Sequence, residues 1–174
     1  MKKFLYGVIT VLVLITVLGA CSNTDEKVTK VENKEETTQT TSAKEEKPED
    51  KMYSVGDTLK FTSGAEITIV SATHEDGNQY VKPEKGKVLK LHVKVVNKGT
   101  QRVGFYSGLF NLYDSNGSLF KEYYAEGTPV SGDIDKDKQL EGDIWYDVDG
   151  SGNYELVMKP NPADSTEIKF NIRL

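Results

Sequence analysis

Lys87-Val88-Leu89-Lys90-Leu91-His92-Val93-Lys94-Val95-Val96-Asn97 is the stretch that decides the fold. Leu89, Leu91, Val93 and Val95 alternate with Lys90, His92 and Lys94. A period of two marks a strand with one face buried and the other in water. Asn97-Lys98-Gly99 then supplies turn chemistry, since glycine takes positive φ without steric cost. Upstream, Asp57 to Thr62 carries Leu59 and Phe61 on one side, and Glu66 to His74 places Ile67 and Ile69 together. Downstream, Phe110-Asn111-Leu112-Tyr113-Asp114 meets Ser115-Asn116-Gly117, and a partner strand is expected around Leu119 and Phe120. Asn-Gly between alternating segments is a strong hairpin signal. Leu140, Ile144, Tyr146 and Val148 share an inward face, and short strands are expected at Tyr154 to Met158 and Glu167 to Ile172. No stretch carries a helical period. Seven to eight short strands with turns between them predict an all-β fold, an antiparallel β-sandwich.

Four of these segments recur in a known order: Val55-Gly56-Asp57-Thr58, the Leu89-to-Asn97 strand, Phe110-x-Leu112-x-Asp114-x-x-Gly117, and Gly142-x-Ile144-x-Tyr146-x-Val148. Together they resemble the telokin-like, immunoglobulin-like domain of unknown function carried by many lipoproteins of Gram-positive bacteria. The resemblance covers the chain from about Tyr53 onward. It implies an immunoglobulin-like sandwich in an extracytoplasmic setting and brings no catalytic residues with it.

The amino terminus speaks to location. Lys2-Lys3 precede fourteen mostly apolar residues, Phe4 to Val17, and Leu18-Gly19-Ala20-Cys21 follows. The run is shorter than the ~20 apolar residues of a membrane span and has the layout of a signal peptide. Its ending resembles the lipobox of bacterial lipoproteins. The Cys21 thiol is placed for alkylation by a diacylglyceryl group, small Gly19 and Ala20 admit a signal peptidase, and the freed amine can take a further acyl chain such as palmitate. Two chains suffice for stable anchoring at ~0.8 kcal/mol per buried methylene. Cys21 is the only cysteine among 174 residues, so no intramolecular disulfide is available. The expected organisation is a signal peptide at 1–20, a lipidated Cys21 and disordered linker over 21–52, and the sandwich at 53–174. The linker is rich in Thr, Glu and Lys and lacks aromatics, so it cannot bury enough surface to offset its ordering entropy. A flexible chain of about 30 residues spans ~30 Å root-mean-square.

The net charge of −5 is mild and lysines are interspersed with acids. No basic stripe with interleaved aromatics suggests nucleic acid, and no polybasic segment follows Cys21. The domain contains no cysteine nucleophile. His92 falls on an outward strand face, His74 lies at a strand end, and Ser71 has no strand-to-helix elbow to present it. The expectation is therefore a non-enzymatic domain without a cofactor.

Two other features carry chemistry. Asp147, Asp149, Ser151 and Asn153 read like the opening of an oxygen-rich calcium loop with Gly152 beside them, although Met158 stands where a closing glutamate belongs. Asp133, Asp135 and Asp137 repeat the spacing without the glycine. The alternative function is thus a calcium- or small-ligand-binding sensor or accessory subunit using loops 133–137 and 147–153; the bland alternative is that both are solvated turns. The second feature is aromatic. If Ile144 and Tyr146 face inward, Trp145 faces outward, and Tyr123 and Tyr124 join it as candidate partner contacts, tryptophan being the residue most enriched at binding hot spots. The competing reading is that a loop covers Trp145 or that the register is shifted by one residue. The leading expectation is a lipid-anchored protein on the outer face of the cell membrane, with a binding or envelope-interaction domain.

Overall fold

The computed structural model describes residues 28–30, 51–124, 126–161 and 165–174. Twelve strands run in chain order: β1 (Val28–Lys30), β2 (Met52–Ser54), β3 (Thr58–Phe61), β4 (Ala65–Glu75), β5 (Lys87–Asn97), β6 (Val103–Tyr106), β7 (Phe110–Tyr113), β8 (Lys121–Glu122), β9 (Ser131–Ile134), β10 (Gln139–Val148), β11 (Asn153–Met158) and β12 (Ile168–Arg173). A 3-10 turn, Ser107–Leu109, joins β6 to β7. Six strands form one sheet in the order β1-β3-β4-β5-β10-β8, four form a second in the order β2-β12-β11-β7, and β6 pairs with β9. Every pair is antiparallel except β2 with β12. The chain is a β-sandwich.

The period-two strand is β5, at the centre of the larger sheet, and all four of its inward side chains are fully buried. It pairs along its length with β4 and β10, whose Ile144, Tyr146 and Val148 face the same way. Leu112, Leu156, Phe170 and Ile172 meet them from the second sheet within one continuous core. At ~1.5–3 kcal/mol for each large apolar side chain removed from water, this interdigitation is the dominant stabilising contribution. Two hydrogen bonds cross the sandwich. The Tyr146 hydroxyl donates to the Phe110 carbonyl at 3.3 Å, and His74 Nε2 lies 2.8 Å from Tyr154 Oη. Burial pushes the Tyr146 phenol far above its ordinary range, so it stays a donor.

A β-bulge between Ile69 and Ser71 resets the alternation of β4. Before it the odd-numbered Ile67 and Ile69 face inward; after it the even-numbered Ala72 and His74 do, because one extra residue exchanges the faces. The expected turn at Ser115-Asn116-Gly117 is present, but the partner strand around Leu119 and Phe120 shrinks to a single bridge, Tyr113 to Leu119, before the chain crosses to pair as β8 with β10 in the other sheet. Gly117 has φ 80°, and the Asp114 carboxylate accepts from the amides of Asn116 and Ser118 at 2.8 Å each. The amide of Ser118 chiefly holds the Asp114 carboxyl below its ordinary range.

The amino-terminal reading needs a local correction. Val28, Thr29 and Lys30 fall in the expected linker, yet they form β1 and extend the larger sheet beyond β3. Met52 likewise belongs to β2. Val28 is 4% exposed and joins the core, while Lys30 Nζ lies 2.7 Å from Asp57 Oδ1. Scattered valines in a polar segment gave no periodic signal, and an edge strand of three residues needs only one. Cys21, the apolar run and, apart from Lys51, the rest of the linker lie outside the described residues. Burial works to raise the Asp57 carboxyl, but Lys30 and the Ser54 amide outweigh it and hold it below its usual 3.8. A depressed folded pKa contributes stability that is complete above the unfolded value and is lost as pH falls through the folded one. Acidification below about pH 4 should therefore loosen β1. The Lys60 amide chemical shift, followed through a pH titration, checks this; Asp57→Asn should abolish the transition.

Candidate binding surface

The outward side chains of β10 at its carboxyl end are Trp145 and Asp147, and beside them on β5 stands Val88. On an uncovered sheet all three would be wet. Instead, Val88, Trp145 and Tyr123 form a small second core on the outer face of the larger sheet. The segment of residues 76–86, between β4 and β5, is fastened over this face by two side chains. The Tyr123 hydroxyl donates to the Val81 carbonyl and accepts from the Asn78 amide at 2.8 Å. The Asp147 carboxylate accepts from the amides of Glu84 and Lys85 at 2.6 and 2.9 Å. The Tyr123 amide in turn donates to the Trp145 carbonyl at 2.8 Å.

This arrangement corrects two expectations. Trp145 points outward as its register predicts, but it is only 8% exposed, and Tyr123 is buried with it. The covered alternative for Trp145 is the one found. Asp147 is not a free ligand, because both of its oxygens are engaged by the loop. Asp149 and Ser151 make local turn bonds, Asp149 Oδ1 accepting from the Ser151 amide at 2.9 Å and Ser151 Oγ from the Asn153 amide at 3.5 Å. In the other acidic loop, Asp133 lies in β9, Arg102 Nε donates to Asp135 at 2.8 Å, and Asp137 takes φ 59°. Among the described residues no three His, Cys, Asp or Glu side chains gather to hold a metal ion.

The clamped segment presents Tyr80 and Val81 to solvent among charged side chains such as Lys82, Glu84 and Lys85, and Tyr124 stands beside it. Tyr80 is 85% exposed, Val81 54% and Tyr124 63%. Val81 and Tyr124 border an open cleft of about 430 Å³ with Lys82, Glu84, Lys121 and Glu122 at its rim. Glu84 and Lys121 pair across it at 3.6 Å. Glu122, accepting from the Tyr124 hydroxyl, raises that phenol above its ordinary range. Of the three aromatic candidates, Tyr124 alone reaches solvent. Sequence reasoning missed Tyr80 and Val81, which have no periodicity; their one signal is an apolar pair between Gly77 and Gly86. A second depression of about 450 Å³ lies on the outer face of the smaller sheet. Its Tyr113, Glu155 and Arg173 are ordinary outward positions of neighbouring strands, so it brings no special chemistry together.

The histidines hold structural partners. His74 bridges the sheets through Tyr154. On the outer face, Ser71, His92 and Asp143 lie in register across β4, β5 and β10, in the order of a nucleophile, base and acid. His92 Nδ1 is 2.7 Å from Asp143 Oδ1. Its Nε2, the atom that would take a serine proton, faces Glu141 at 4.0 Å instead. The surrounding Lys90 and Lys94 pair with Asp143 and Glu141 at 3.3 and 2.8 Å, making a ladder of ion pairs across two strands.

Asp147→Ala should cost about 2–3 kcal/mol, since two hydrogen bonds to a charged acceptor are lost from a buried site. Trp145 is the only tryptophan of the chain, so its emission reports on the cover directly. A red shift at unchanged far-UV dichroism is expected; unshifted emission would show that the segment is held by other means.

The chain matches the domain of unknown function DUF4352 over residues 53–168. It is similar to ycdA from Bacillus subtilis, a protein provisionally described as a lipoprotein. The two are 25% identical over 63% of this chain and 36% of that one, with a TM-score of 0.52. This chain thus spans about a third of that protein. The yjhA protein from Bacillus subtilis shares the fold at 16% identity and a TM-score of 0.53, over 70% of this chain and 99% of that one. No curated protein matches the sequence.

Proposed function

The chain belongs to the DUF4352 family, whose domain has no assigned function, and from that premise we propose a lipid-anchored extracytoplasmic lipoprotein with a non-enzymatic binding domain. Cys21 is the anchor, carrying diacylglyceryl on sulfur and an acyl chain such as palmitate on its amine. Residues 1–20 are the signal peptide that is removed, and 53–174 is the folded domain. The similarity to ycdA, provisionally described as a lipoprotein, supports the anchor. Among the described residues no helix is long and apolar enough to cross a membrane.

One observation carries the binding role: Tyr80 and Val81 stand exposed on a segment that Tyr123 and Asp147 hold in place, and Tyr124, just after β8, stands exposed beside them. Large side chains on a fastened loop lose little entropy on meeting a partner, and tyrosine is enriched at binding hot spots. The partner is an envelope or surface component that buries this patch. Two variants divide the proposal. Cys21→Ala in the full chain should move the protein from the membrane fraction to the medium. Tyr80→Ala with Tyr124→Ala should leave it in the membrane, with unchanged thermal stability, and abolish whatever the wild-type protein captures in cross-linking on intact cells. Retention of Cys21→Ala in membranes, or unaltered capture by the double variant, would refute the corresponding half.

A further inference from the structure

We propose that the outer edge of β3 is a strand-accepting surface whose resident occupant is Val28–Lys30 of the same chain, a detachable clasp that shortens the leash between Cys21 and the sandwich. The leash consequence rests on the lipid anchor proposed above; the pairing does not.

The occupant is specified on the page. Val28 opposes Phe61, Thr29 opposes Lys60 and Lys30 opposes Leu59. Val28 enters the core, Thr29 is solvent-facing, and Lys30 reaches Asp57. Asp57 also accepts from the Ser54 amide at 3.0 Å, so this one carboxylate ties the clasp to the end of β2, where the sandwich begins in sequence. A lysine on the outermost strand discourages further edge pairing, so β1 caps the sheet. Its described part is nevertheless short, three residues with Val28 in the core and Lys30 paired with Asp57 at a partly exposed position. Such segments open locally without global unfolding. Opening would leave the outer backbone groups of β3 without strand partners and uncover Phe61 beneath Val28. That edge then suits an extended segment with the same apolar-polar-basic pattern.

The consequence is geometric. Val28 lies seven residues after Cys21, whereas Met52 lies thirty-one after it. At ~3.3–3.6 Å per residue, the clasped sandwich stays within about 25 Å of the lipidated residue; unclasped, the limit exceeds about 100 Å. The clasp therefore decides whether the domain rests near the headgroups or ranges away from them.

The test uses the full chain with Thr29→Cys and Lys60→Cys, directly opposed and both exposed. Thr29→Cys with Lys169→Cys, on the other sheet, is the control. Mild oxidation should give an intramolecular disulfide in the first pair at least about tenfold faster than in the control, because only opposed strand positions bring Cα atoms within about 7 Å. Adding Val28→Asp should abolish that cross-link while the far-UV dichroism of the sandwich persists. Equal rates in the two pairs, or a cross-link indifferent to Val28→Asp, would overturn the pairing. Disulfide-linked dimers would overturn the same-chain occupant in favour of a second copy. The parent chain, whose only sulfhydryl would be Cys21, is treated with maleimide in parallel. Labelling there overturns the leash consequence and leaves the pairing result readable.

Discussion

Asn97→Ala is expected to destabilise the domain by about 3 kcal/mol or more, out of the ~5–15 kcal/mol typical of a whole domain. Asn97 is fully buried at the end of β5, and its amide is completely engaged. Nδ2 donates to the Gln101 carbonyl at 2.7 Å and the Ile134 carbonyl at 2.8 Å, and Oδ1 accepts from the Gly99 amide at 2.9 Å. Its backbone donates to Lys138 and accepts from Asp137, both at about the ordinary amide distance. The side chain therefore fastens the turn after β5 and the carboxyl end of β9, while the backbone of the same residue holds the approach to β10. Truncation leaves three backbone groups to find water in a tight place, at ~1–3 kcal/mol for each that fails. Asn97→Asp sharpens the test. Its second oxygen would face two carbonyls, so the loss at neutral pH should exceed that of alanine and shrink as acidification protonates the carboxyl. Gly99 belongs to the same device, because a Cβ there would run into the Ser63 carbonyl. Urea denaturation of the three proteins decides the matter; a loss under about 1 kcal/mol for alanine would mean that the turn holds itself.

Tyr146→Ala should cost about 3–5 kcal/mol, the range for removing a large aromatic side chain from a packed core. The ring sits 1% exposed between the sheets, and its hydroxyl makes the 3.3 Å bond to Phe110. Tyr146→Phe separates the two contributions. It keeps the ring and forgoes one buried hydrogen bond, so about 0.5–1.5 kcal/mol is expected. Nearly equal losses in the two variants would assign the role of Tyr146 to its hydroxyl.

The fold was legible wherever one face of a strand is buried and the other wet. Lys87–Asn97 matches β5 to the residue, and the inward face of β10 is as read. The shortest elements were not. Val103–Tyr106 and Ser131–Ile134 are four-residue strands with one buried side chain each, Phe105 and Ile134, too few to make an alternation. The bulge at Val70 carries no glycine to announce it, so the turning of His74 into the sandwich was hidden. At the candidate site, parity correctly sent Trp145 outward, but its burial depends on Val88 and Tyr123, which arrive from other parts of the chain. Asp147 illustrates the same limit. Its spacing to Asp149 and Ser151 suggests a cation loop, whereas its partners are amides of Glu84 and Lys85. Local pattern reports which face a side chain occupies and is silent on what arrives to cover that face.

The central claim is that this sandwich works outside the membrane, held by lipid on Cys21. Mass spectrometry of the mature amino terminus tests it most directly. The account predicts a tryptic peptide that begins at Cys21, ends at Lys27 and carries a diacylglyceryl thioether. A peptide retaining Met1, or a Cys21 with an unmodified thiol, would contradict it.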